Sequence, residues 1–364
     1  MIKKAKTDRL YFIDAMRAWA ILMMLQGHFV AALLSDVYRD KDDLFFSIWS
    51  YFRGVTAPLF FTVSGFIFTF LLVREHSQGI SNPRVGKGIK RGVQLMAIGY
   101  LLQIRFSKVF KGAINDSYDI VHVLQCLGLS IILIVLVYLV SYKSKRKVFP
   151  VLLCSITILL FIFKASYEQW DYSFMPEFLS NYFTKANGSV FTIAPWFGFT
   201  SFGGFLAVVF ANQHTKTNFY RNAIITALLG GYILVANSYE IIRDLKEITG
   251  LQFFQDALQH TYLFARLGVV LFVFAFFVLF RQYFKSKVLL RIGQKTLPIY
   301  ILHSVMLYGS ITGFGLSRFF YHSLSPTSVV LGVTCFVVLV SVTVMILDRK
   351  MKIINKKLIK IWFR

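Results

Sequence analysis

The sequence predicts an all-α fold: a polytopic transmembrane helix bundle of about ten spans, with both termini cytoplasmic. Three observations predict it. Of the 364 residues, 56% are hydrophobic and only 16% are charged, which is too apolar for a soluble domain. The apolar residues fall in runs long enough to cross a bilayer. The basic residues, which bring the formal net charge to +23, sit in short clusters between those runs, as in cytoplasmic loops. No soluble basic stretch remains to hold a nucleic-acid fold, so nucleic acid is excluded as a partner and the lipid bilayer takes its place.

The spans read as about 11–34, 53–73, 88–104, 120–142, 148–164, 190–211, 222–239, 261–280, 296–313 and 327–347, all within one domain covering 1–364. Loop charge alternates between them. The first tail is basic with Lys3, Lys4, Lys6 and Arg9. The next loop is acidic with Asp36, Asp40, Asp42 and Asp43. Arg84, Lys87, Lys90 and Arg91 follow, then a mixed loop, then the run Lys143 to Lys147. The later loops keep the alternation as far as the basic tail from Arg349 to Arg364, which places both ends on the same, cytoplasmic side. The first run, Ile13 to Leu34, is long and holds Asp14 and Arg17, so it reads as a retained span, not a cleaved signal.

Two outer segments, about 165–189 and 240–260, are long and the first is rich in aromatic residues. They suit a lid or acceptor surface, or equally an interfacial aromatic belt. Asn115 and Asn187 begin glycosylation-type triplets in outer segments. Cys126, Cys154 and Cys335 lie inside apolar runs without metal-ligand spacing and read as small core residues; no metal site is expected.

The stretch Arg9 to Phe29 is the most informative. It places Asp14, Arg17, Gln26 and His28 in one membrane helix, where polar side chains are costly and usually functional. His28 stands eleven positions after Arg17, so the two lie on nearly one face and about 16 Å apart. Asp14 and Arg17, at i,i+3, can pair; the plainer reading is an arginine that snorkels to the headgroups beside its neutralising acid. A lone histidine is more often a bonded core residue than a catalyst, and the alignment with Arg17 lowers those odds for His28. In span two, Ser64-Gly65 reads as a close-packing point for a neighbouring helix. Asp119, His122 and Gln125 recur every three residues and would share a face at the outer entry of span four, as a polar cap or a site. Trp196 in span six walls a pocket or anchors the interface. Tyr300 and His303 lie one turn apart in span nine, where a buried imidazole needs a partner. No HExxH, nucleotide loop, dinucleotide fingerprint or CxxC occurs, and no carboxylate lies deep in a span, as ion-coupled transport usually needs.

Asp14, Arg17 and then His28 after ten residues resemble the signature of integral-membrane acyltransferases. These include the acyltransferase-three group and the heparan-alpha-glucosaminide N-acetyltransferase-like group. Ala18 departs from the usual glycine. PLFFTVSGF resembles the second-span motif of these families. IVHVLQCLGLS, APWFGF with its following Gly-Gly, and IGQKTLPIYILH look more like the heparan N-acetyltransferase-like group. The resemblance implies an enzyme that transfers an acyl group, acetyl by analogy, from cytoplasmic acyl-CoA to a hydroxyl or amine of an extracytoplasmic glycan or related acceptor. It implies His28 as the catalytic base or acyl carrier. Arg17, with Arg84, Lys87, Lys90 and Arg91, would hold the CoA phosphates. Asp14, Gln26, Asp119, His122, Gln125, Trp196, Tyr300 and His303 are then candidates for binding or orienting substrate, in a bacterial cytoplasmic membrane. The rival reading is a glycan or lipid exporter, which explains the spans but not the Arg17–His28 alignment.

Overall fold

A 23-residue helix, α1 (Tyr11–Leu33), runs through the middle of the protein and is buried on most sides. The computed structural model describes residues 10–362, apart from 111, 113–117 and 146. The basic tail before Leu10 and the Asn115 triplet therefore lie outside the described residues. Helix α1 stops where Leu34 turns extended, and Arg39 reaches back to cap it. The Arg39 guanidinium donates to the carbonyl oxygens of Ala31 (2.8 Å) and Leu34 (2.7 Å), putting a cation at the negative end of the helix dipole.

Helix α2 (Leu44–Val73) begins nine residues before the sequence-read start at 53. The Asp43 carboxylate caps it by accepting from the Phe46 N–H at 2.8 Å, and no proline follows until Pro58. Helix α3 (Pro83–Gln103) starts with proline in its first turn, and the Asn82 side chain accepts from the Arg84 N–H. Then come α4 (Val123–Ser141), α5 (Val148–Ile162), α6 (Ile193–Gln213) and α7 (Phe219–Ala236). The remaining helices are α8 (Ser238–Thr249), α9 (Tyr262–Leu279), α10 (Lys287–Gln294), α11 (Thr296–Tyr308) and α12 (Pro326–Trp362).

Each of the ten sequence-read segments coincides with one of these helices. Seven helices among the described residues are long and apolar enough to cross a membrane; α5 and α11 are shorter but apolar, and α3 carries basic residues along its first half. The chain is an all-α, multi-pass integral membrane protein. The two long segments read as loops hold short helices instead: Lys164–Gln169 and Glu177–Ser180 in the first, α8 and Gln252–Ala257 in the second. Apolar residues at helical spacing, Tyr239, Ile242 and Leu245, give α8 one apolar side, of which Ile242 is buried, a pattern masked by its high charge. Helix α11 ends at Tyr308, short of the expected 313, because Gly309 adopts φ 68, a left-handed conformation that stops a helix cheaply only at glycine.

Helices α2 and α6 pack backbone to backbone. A Cβ at Gly65 would strike the Thr200 carbonyl oxygen, and one at Gly203 the Thr62 carbonyl oxygen. Without a hydrophobic drive between helices in lipid, such close approach gives van der Waals contact its largest return. Gly65 is thus the packing point that the sequence indicated. Gly293 does the same for α10 against the Asp14 backbone of α1, which brings the start of α11 beside Arg17.

Candidate active site

Two polar clusters lie along α1. The first surrounds Arg17. Its guanidinium donates to the Thr296 hydroxyl at 3.1 Å, with Asp14 the attractive charge on it and Arg91 of α3 a repulsive one. Asp14 thus acts electrostatically on Arg17, which also bonds across to α11. Of the basic run on α3, Arg84 pairs with Glu75 at 3.0 Å and Arg91 bonds Gln94, while Lys87 and Lys90 are exposed.

The second cluster surrounds His28. Its Nδ1 lies 3.0 Å from Nε2 of His303, and Nδ1 of His303 bonds the carbonyl oxygen of Tyr300 in the preceding turn. Helices α1 and α11 run parallel, since Arg17 meets Thr296 near one end and His28 meets His303 near the other. His28 and His303 wall a cavity of about 590 Å³. Helix α1 contributes Met23, Met24 and Gly27 to it, and α11 adds Tyr300, Ser304 and Tyr308. Helix α4 and the residue before it contribute Gln125 and His122.

Gln125 is wholly buried at 0% exposure, and among the described residues neither its amide nitrogen nor its amide oxygen has a partner. An unpaired buried amide costs roughly 1–3 kcal/mol, and this one lies on the cavity wall. Its room comes from Gly99 on α3, where any side chain would collide with the Gln125 amide. The Thr56 hydroxyl, also on the wall, is likewise buried and unpaired.

The other sequence candidates fall elsewhere. Asp119, His122 and Gln125 do not share a helical face, because α4 begins only at Val123. Residues before it are extended, with the Val121 carbonyl accepting from Val190 and Phe191, so the three-residue spacing has no helical meaning there. Asp119 instead accepts from the Asn181 amide at 3.2 Å. Gln26 points away from His28 and accepts from Trp49 Nε1 at 3.0 Å. Trp196 is one layer behind the wall. Its ring lies 4.7 Å from that of Phe191, which does line the cavity. Asn187 donates to Asn181 at 3.0 Å.

Sequence reasoning missed Arg53, Arg105 and Tyr308, all on the cavity wall. Arg53 had a signal. It sits nine residues inside α2 with apolar residues on either side, where a cation has no sorting role to play. Arg105 and Tyr308 had none, since each stands at the ragged end of an apolar run. No group of three or more metal-ligating side chains occurs among the described residues.

A search of curated proteins finds no match to the chain. A model of the family described as heparan-alpha-glucosaminide N-acetyltransferase, catalytic, matches residues 9–236. That span takes in Arg17, His28, Arg53, His122 and Gln125, and ends before Tyr300 and His303. With more than half of its length matched, and with the polar residues of α1 to α4 inside the match, the chain belongs to the heparan-alpha-glucosaminide N-acetyltransferase catalytic family.

Proposed function

We propose that the protein moves an acyl group, acetyl by family, from acyl-CoA to a hydroxyl or amine of a glycan-like acceptor, with His28 as the general base. The observation that carries this reading is the imidazole chain His28–His303–Tyr300. A carbonyl oxygen can only accept, so His303 Nδ1 carries hydrogen. With both rings neutral, His303 Nε2 is then a lone pair, and His28 Nδ1 must donate to it. That leaves His28 Nε2 unprotonated and available as a base. Histidine bases positioned in this way contribute about 10²–10⁴-fold.

In this mechanism the acceptor oxygen or nitrogen attacks the thioester carbonyl carbon as His28 Nε2 takes its proton. A carbon–oxygen or carbon–nitrogen bond forms, the carbon–sulfur bond breaks, and the departing thiolate recovers the proton from His28. The Gln125 amide N–H is a donor for the tetrahedral oxyanion, an interaction that holds a cost in the resting protein and is satisfied in the transition state. An acylated His28 is the covalent version of the same step, and the same free Nε2 supports it.

The donor enters, on this reading, from the cytoplasmic end of α1. Arg17, Arg91, Lys87 and Lys90 offer cations to the CoA phosphates there. The pantetheine arm bridges the roughly 16 Å from Arg17 to His28. Both termini would then be cytoplasmic and the acceptor extracytoplasmic, in a bacterial cytoplasmic membrane. The test is to incubate the purified protein with acetyl-CoA labelled in the acetyl group. Free CoA with label on an amino sugar, on a sugar hydroxyl or on the protein itself supports the reading. Intact acetyl-CoA after prolonged incubation with a broad glycan mixture contradicts it.

A further inference from the structure

Aromatic residues of the segment 165–189 line a second cavity, a groove of about 380 Å³ that the catalytic reading leaves unused. Tyr167, Trp170, Tyr172 and Phe183 contribute to its wall, with Leu159 and Leu160 from the last turn of α5. No side chain on that wall is charged. The two tyrosine hydroxyls are spent on the protein itself. Tyr167 donates to the Leu160 carbonyl oxygen at 3.0 Å, and Tyr172 to the Tyr167 carbonyl oxygen at 2.8 Å. An aromatic belt keeps such hydroxyls at the headgroups, whereas here rings and alkyl groups are what an occupant meets. The Tyr172 ring stacks on that of Phe183, with 5.8 Å between centres and 18° between planes.

The groove lies beside lipid. Val151, Ile158 and Leu159 of α5 are exposed apolar residues at helical spacing, a stripe that in a membrane protein faces the bilayer. Leu159 ends that stripe and lines the groove. The groove also shares a stretch of chain with the catalytic cavity. Val190 and Phe191 line the catalytic cavity, whereas Ile193 and Ala194 line the groove. Two residues of extended chain span at most about 7 Å, so along 191–193 the two cavities come within that distance. This partition is pinned on both sides. The N–H groups of Val190 and Phe191 donate to the Val121 carbonyl oxygen at 3.1 Å, and that of Ile193 to the Tyr182 carbonyl oxygen at 2.7 Å. Val190 on the catalytic side and Phe183 on the groove side are both exposed, so both cavities have wall residues at the surface.

We propose that the groove holds the hydrocarbon chain of a lipid-anchored acceptor, whose polar head lies across the 190–194 partition in the cavity of His28. This rests on the acyl-transfer reading. An uncharged wall of rings and alkyl groups matches a hydrocarbon chain and gives a sugar or a phosphate nothing to bond. A bilayer lipid without an acceptor head would use the groove but not its closeness to the catalytic cavity, whereas an amphiphile whose head is acylated uses both. The chain then stays in contact with lipid while the head reaches the imidazole, and the bilayer itself delivers the acceptor.

Trp170 on the groove wall is the reporter. The full-length protein, in phosphatidylcholine nanodiscs, is titrated with dodecyl glucoside brominated along its chain, and Trp170→Phe gives the background from the other tryptophans. Trp170 emission should be quenched saturably, excess unbrominated dodecyl glucoside should restore it, and methyl glucoside should not. Leu159→Trp, which fills the groove from its lipid side, should weaken displacement of the brominated glucoside at least tenfold when assayed by competition against wild type. Acetyl transfer supplies the second arm: KM for dodecyl glucoside should lie at least tenfold below that for methyl glucoside, and Leu159→Trp should erase the difference while leaving turnover of methyl glucoside unchanged. Quenching that rises without saturation overturns the proposal. So does equal quenching by brominated phosphatidylcholine that dodecyl glucoside cannot displace, which assigns the groove to bulk lipid. A folded Leu159→Trp protein that keeps the full chain-length preference also overturns it, since the preference is then simple partition into the bilayer. Saturable quenching by the glucoside with no consumption of acetyl-CoA sinks the acyl-transfer reading and leaves the groove standing.

Discussion

His28 Nδ1 and His303 Nε2 stand 3.0 Å apart, and the Tyr300 carbonyl oxygen on the far side of His303 fixes the direction of that bond. On the proposed mechanism, the pair gives α1 a base and gives α11 the task of orienting it. His303→Gln keeps an acceptor within reach of His28 Nδ1, whereas His303→Leu removes it. We expect His303→Leu to lower kcat about 10²-fold with little change in either KM, and His303→Gln to retain most of the lost rate. Steady-state kinetics of the two variants check this; equal loss in both would show that His303 acts only through packing.

Gln125 separates stability from activity. Removing an unpaired buried amide relieves about 1–3 kcal/mol, so Gln125→Leu should raise the thermal midpoint of the solubilised protein. The same change should lower kcat by about 10²–10³-fold if the amide meets the oxyanion. A variant that is both more stable and fully active would remove Gln125 from the chemistry.

Gly99 offers a gentler version of that test. Its missing side chain makes the room in which the Gln125 amide lies. Gly99→Ala should push that amide off its line and lower kcat by about tenfold, with KM for acetyl-CoA unchanged. A KM effect alone would place Gly99 in helix packing instead.

The α2–α6 contact should be the least tolerant place in the bundle. Gly203→Ala drives a methyl group into the Thr62 carbonyl, and an overpacked helix contact costs about 1–3 kcal/mol. The variant should unfold at a lower temperature in a detergent melt, while Gly86→Ala, where a side chain meets open space inside a helix, should not lower it.

Much of the bundle was legible because lipid imposes a simple code: apolar runs span, and charge gathers between them. Helix centres were therefore readable, while ends depended on local devices. The Asp43 cap lengthened α2, and the left-handed Gly309 shortened α11, neither of which apolar content reveals. Part of the cavity was readable for a related reason. An imidazole or amide inside an apolar run stands out, so His28, His122, Gln125, Tyr300 and His303 were all candidates, and all five line one cavity. The spacing argument failed for Asp119 because it assumed a helix where residues 120–122 are extended. Arg105 escaped notice because an arginine at the end of a span looks like an interface anchor, and Arg53 because the span was read as starting there, whereas α2 begins at Leu44.

On the proposed mechanism, the unprotonated Nε2 of His28 drives acyl transfer. The most direct measurement is release of free CoA from acetyl-CoA by wild type and His28→Ala, purified side by side and matched by size-exclusion profile and thermal midpoint. We expect wild type to release CoA in the presence of acceptor, and His28→Ala to fall by at least 10³-fold while still folded. Near-normal CoA release by His28→Ala would contradict the claim and move the chemistry to another group on the cavity wall.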